Sequence, residues 1–112
     1  MIDFIVDNGS YFLTLGFDDR IRKPFRIVPV TQQEAVEISK TFNEEWADVI
    51  ASGNEPWTLN DFKVTNAPDH PYAWTDSSLR VILHFKEQRW HMTPSEIAHI
   101  GKLANRAINL NA

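Results

Sequence analysis

The sequence predicts an α+β fold: an antiparallel sheet of about five strands with two helices packed on one face, in the order ββ(β)α–loop–ββα. Three observations carry this expectation. Thr31 and Thr93 are each followed three positions later by a glutamate, Glu34 and Glu96, the spacing at which hydroxyl and carboxylate satisfy the free N–H groups of a helix start reciprocally. Each threonine directly follows runs that read as paired strands. Asn8-Gly9, lying between two apolar runs, is a favoured pair for a two-residue hairpin turn in which both residues take positive φ.

Folding the chain about Asn8-Gly9 sets Val6 opposite Tyr11, Phe4 opposite Leu13 and Ile2 opposite Leu15, so six apolar side chains share one face. Ile5 and Phe12 then fall on the other face with Asp3 and Thr14, which implies partial cover there as well. Gly16 to Arg20 reads as a turn and Pro24 to Val30 as a third strand. Pro24 and Pro29 cannot donate to a ladder and so favour a short or edge position, which is either blocked or free to pair with a second copy in a homodimer.

From Thr31 the apolar spacing changes to three and four, through Ala35, Ile38, Phe42, Trp46 and Val49, which predicts one helix reaching Ser52 with Gly53 as its left-handed cap. The next 25 or so residues lose regularity, as long functional loops do, and Trp57 to Phe62 is read there as one short helical turn. Leu79, Val81, Leu83 and Phe85 alternate with Arg80, Ile82 and His84, giving a strand with an apolar face, and Lys86-Glu87-Gln88 turns into a shorter strand, Arg89 to Met92. The last helix opens at Thr93-Pro94 and lays down Ile97, Ile100, Ala104 and Ala107, with Leu103 and Ile108 flanking. Aligned at their threonines, the helices also match Ile38 with Ile100, Lys40 with Lys102 and Asn43 with Asn105. That suggests two ββα halves, although capping chemistry and helical period produce such matches independently.

A chain of 112 residues suits one domain over 1–112, and 43% hydrophobic with 23% charged residues is ordinary globular usage. The absence of cysteine removes disulfides, thiolate nucleophiles and thiolate metal sites together and fits a reducing, cytoplasmic setting. No apolar run approaches the roughly 18 residues that cross a bilayer, and Met1-Ile2-Asp3-Phe4 lacks the basic and apolar regions of an export signal, so no membrane partner is expected.

The net charge of −4 is segregated: residues 1–30 carry four basic and four acidic side chains, residues 31–78 two and nine, residues 79–112 five and two. No catalytic constellation emerges. His70, His84, His91 and His99 show no i, i+4 pair of the kind that grips zinc. None of the serines forms a nucleophile elbow, the four glycines build no phosphate loop, and Glu44-Glu45 diverge around a helix. No metal and no cofactor is implied. A small enzyme would draw on Asp61, Asp69, His70 and Asp76 in the long loop. A nucleic-acid binder would use the basic turns, Arg20, Arg22, Lys23 and Arg26 in one and Lys86 and Arg89 in the other.

The reading best matched to the charge pattern is a non-enzymatic interaction module. Glu34, Glu37, Glu44, Glu45 and Asp48 are expected on the outward face of the first helix, beside a loop bearing Trp57, Asp61, Phe62, Tyr72, Trp74 and Asp76. Aromatic anchors inside an acidic surround suit a larger protein with a basic, nucleic-acid-handling surface, and such a module would act as its inhibitor or regulator.

Overall fold

The computed structural model describes residues 1–53, 55–67 and 78–111. Among them are seven strands and three helices in two compact units, Met1–Phe42 with His99–Ala112, and Asn43–Ala98. The α+β class is as expected from sequence, but the single sheet of about five strands is replaced by two antiparallel sheets, of three and four strands.

In the first unit, β1 (Ile2–Asp7), β2 (Ser10–Leu15) and β3 (Arg26–Val30) pair in that order. Asn8 (φ 51°) and Gly9 (φ 80°) make the turn, and the register is the expected one, Val6 opposite Tyr11, Phe4 opposite Leu13, Ile2 opposite Leu15. Phe4, Tyr11, Leu13, Leu15, Val28 and Val30 bury the inner face. α1 (Gln32–Thr41) packs against β2. Its capping box is complete: Thr31 N donates to Glu34 Oε1 (2.9 Å) and Glu34 N to Thr31 Oγ1 (3.1 Å). Glu34 is therefore buried in the cap, where the sequence had placed it on the outward face.

The expected continuous helix to Ser52 is broken. Phe42 is extended (φ −75°, ψ 102°), and α2 (Glu44–Ala51) restarts behind Asn43, whose Oδ1 accepts from Trp46 N at 2.8 Å. The break coincides with a close approach: a Cβ added at Gly101 would overlap the Phe42 carbonyl oxygen and lie 3.1 Å from Phe42 Cβ. Restarting the helix also resets its phase, so Ala47 and Ile50 are buried while Val49, expected in the apolar stripe, is 49% exposed.

In the second unit, β4 (Trp57–Leu59), β5 (Phe62–Asn66), β6 (Val81–Phe85) and β7 (Gln88–Met92) form the four-stranded sheet in sequence order. The segment read as a helical turn is thus a hairpin, turning at Asn60 (φ 53°) and Asp61, and the irregular stretch after Gly53 contains two strands. Trp57 and Leu59 alternate about the solvent-facing Thr58 just as Phe62 and Val64 do about Lys63, a period of two that outweighs the nearby prolines. Phe62, Val64, Val81, Leu83 and Met92 bury the inner face, against which α2 packs through β5 and β6. α3 (Pro94–Leu110) opens with the second capping box, Thr93 N to Glu96 Oε1 at 2.9 Å and Glu96 N to Thr93 Oγ1 at 3.1 Å. It contributes residues through Ala98 to the second unit and the remainder to the first.

Candidate functional site

The acidic residues proposed from sequence divide between the units. Glu37 stands exposed on α1 of the first; Glu44, Glu45 and Asp48 stand on α2 of the second. Glu44 and Glu45 occupy the first turn of α2, where the helix dipole favours negative charge, and both are exposed. Glu44 Oε1 accepts from Ser95 Oγ at 3.2 Å, and Asp48 is held by Arg80 in an ion pair. Trp57 packs edge-to-face on Trp46, ring centroids 5.8 Å apart at 86°, and both rings are half-buried. Asp61 lies exposed in the β4–β5 turn. Tyr72, Trp74 and Asp76, with Asp69 and His70, fall outside the described residues.

A different surface, overlooked in sequence, is on the outer face of the three-stranded sheet. Register places Ile5, Phe12 and Pro29 side by side across β1, β2 and β3, and Asp3, Thr14 and Ile27 in the adjacent row. Phe25 precedes β3 by one residue. The face is partly covered, with Thr14 buried and Asp3 and Phe12 half-buried, but its apolar margin is open: Ile27 is 58% exposed, Phe25 53% and Ile5 41%, and Pro29 is exposed as well. Phe17 and Ile21, in the β2–β3 connection, are exposed too, Ile21 at 62%. The signal was present in the alternation of Ile27 and Pro29 along a strand whose side chains at Val28 and Val30 enter the core.

The four cations assigned to this hairpin differ in availability. Arg20 is turned back onto Asp18, donating from Nε to Oδ1 and from Nη2 to Oδ2, each at 3.3 Å; this bond lowers the Asp18 pKa from 3.8. Arg26 donates to the Phe25 carbonyl at 3.0 Å. Arg22, Lys23 and Arg26 have no ion-pair partner among the described residues. All three are exposed, Arg22 and Lys23 in the β2–β3 connection and Arg26 at the start of β3, where register sets it opposite Leu15 and so on the other face from Ile27.

Of the second basic turn, Lys86 sits 5.5 Å over the Phe85 ring and Arg89 is exposed on β7. His84 lies on β6 between Lys63 and Arg89, with its Nε2 2.9 Å from Thr65 Oγ1. Burial, then the charges of Lys63, Arg89 and His91, lower its pKa from 6.5. An unfolded chain therefore binds a proton more readily than the native one, so this stabilisation is present above about pH 6.5 and is lost as pH falls through the native value. The melting temperature should accordingly drop from about pH 7.5 to about pH 5, and His84→Gln should flatten that part of the profile in a calorimetric pH series.

Among the described residues no three His, Asp or Glu side chains converge as metal ligands, and no helix is long and apolar enough to cross a membrane. Comparison with protein families, with curated proteins and with solved structures finds no match to this chain.

Proposed function

We propose that the protein is a non-enzymatic interaction module, of the inhibitor or regulator kind, that binds a larger protein. The observation carrying this reading is the exposed apolar part of the outer face of the three-stranded sheet, where Ile5, Phe12 and Pro29 stand in one cross-strand row and Ile27 in the next, with Phe25 exposed just before β3. Contiguous apolar surface on a small domain is costly in water and marks a place that is covered in use. The exposed Arg22 and Lys23 in the β2–β3 connection suit a partner whose own apolar patch has an acidic rim. On the second unit, Glu44 and Glu45 beside the Trp46–Trp57 pair support a further contact with a basic surface, such as a nucleic-acid-handling protein presents.

Phe25→Ser with Ile27→Ser should weaken association with a partner identified by crosslinking in the native cell by at least about tenfold, with a thermal midpoint no lower than wild type's. Undiminished association would remove the sheet face from the interface. The nucleic-acid reading is favoured by the exposed cations Arg22, Lys23 and Arg26 beside Phe25 in the chain. It would take over if the isolated protein bound single-stranded DNA or RNA with an affinity falling steeply as salt rises, and if Arg22→Gln and Lys23→Gln reduced that slope.

A further inference from the structure

The outer face of the four-stranded sheet carries a cross-strand row, Thr58 on β4, Lys63 on β5, His84 on β6 and Arg89 on β7, each opposite its neighbour in the ladder. Directly opposed side chains in an antiparallel pair lie about 5 Å apart at Cβ, so the row brings two permanent cations to either side of an imidazole. Lys63 and Arg89 are exposed and have no ion-pair partner among the described residues. The nearest acids along these strands, Asp61 and Glu87, sit in the turns beyond them and form no ion pair there. His91, one step along β7 on the same side, adds a second imidazole.

Lys63 and Arg89 stand two strands apart, each opposite the imidazole and neither opposite an acid, so their positive charge is concentrated on the ring between them and offset by no carboxylate in the row. Both flanking side chains are longer than the imidazole between them and can converge above it. The Thr65 hydroxyl fixes the ring from the side by its bond to Nε2. From this juxtaposition we infer that Lys63, His84 and Arg89 form a binding site for a phosphoryl group, with the lysine and guanidinium donating to its oxygens and the imidazole joining as a third donor when protonated. Partial burial, then the neighbouring cations, lower the His84 pKa when the site is empty; a bound dianion opposes that effect and favours the protonated ring.

The test is a titration of the full chain with inorganic phosphate at fixed ionic strength, followed through the His84 ring resonances. Sulfate, which stays dianionic, replaces phosphate where pH is varied. Saturable movement of the His84 signals is expected, with an upward shift of its titration midpoint and sulfate binding that tightens as pH falls. Lys63→Met and Arg89→Gln should each weaken phosphate binding about tenfold. Because each substitution relieves repulsion, the melting temperature should hold or rise, so lost binding is not lost folding. An oligothymidylate with a free 5′-hydroxyl, which offers phosphodiesters only, identifies the source. Competition with phosphate at the same residues indicates a nucleic-acid backbone, and its failure to compete restricts the site to free phosphate or phosphomonoesters. Shifts that never saturate, or that persist unchanged in the Lys63→Met/Arg89→Gln double variant, would mean an adventitious ion only and overturn the assignment.

Discussion

Gly101→Ala is expected to lower stability by about 2 kcal/mol or more, although alanine is the better helix former by roughly 1 kcal/mol in a helix interior. The added methyl would overlap the carbonyl oxygen of Phe42, a backbone atom with no rotamer to yield. Relief requires α3 or the α1 C-terminus to move, against the packing of Ile38, Phe42, Ile100 and Ala104, all buried. For a chain of this size the loss corresponds to a fall of roughly 10 °C in melting temperature. Circular dichroism reads the whole molecule, whereas all four tryptophans, at 46, 57, 74 and 90, lie within Asn43–Ala98. We expect both signals to shift together, because α3 is one uninterrupted helix contributing to both units. Separate transitions would mean that the chain is not one cooperative domain. An unchanged midpoint would show that residue 101 has room for a side chain.

The Phe42–Gly101 approach also explains where the sequence reading failed. Ala35, Ile38, Phe42, Trp46 and Val49 satisfy a helical period, and nothing local forbids a helix through all five. Asn43 was the available warning, since asparagine favours the position before a helix and here accepts from Trp46 N. A helix passing close to Phe42 is tertiary information that periodicity does not contain. The β1–β2 register and both capping boxes were legible because each is decided within fifteen residues by turn chemistry or reciprocal hydrogen bonds. The β4–β5 hairpin was legible in principle. Its alternation was masked by prolines that stand outside the strands.

The candidate surfaces were less legible than the fold, and for a physical reason. Charge segregation is a property of the sequence, but exposure is decided by what packs on a face. Asp48 looks like free negative charge until Arg80 is found beside it, and Arg20 like free positive charge until Asp18 is. Ile27 and Phe25, conversely, look like core and are solvent-facing. Lys63, His84 and Arg89 are separated by 21 and 5 positions in the chain and meet only through the ladder of β5, β6 and β7. Their convergence is a consequence of strand pairing across a long connection, which no short motif announces.

The two kinds of phenylalanine give the sharpest contrast between folding and binding. Phe62 is 1% exposed and lies directly opposite Phe85, with ring centroids 4.8 Å apart and tilted by 46°. Phe62→Ala removes a buried ring and leaves a cavity, an effect of about 3–5 kcal/mol, most of the margin that holds a small domain folded. We expect tryptophan-detected urea denaturation to show a midpoint reduced by half or more, with Phe62→Leu recovering most of the loss because its volume and apolarity are closer. Phe25→Ser, at an exposed position just before β3, should leave the same curve in place. A Phe62→Ala loss below about 1 kcal/mol would mean that the ring is not packed as described, and a comparable loss at Phe25 would make that residue structural instead of a contact. The distinction decides how the sheet face is to be understood, since apolar side chains that cost nothing to remove from the folded state are retained for something outside it.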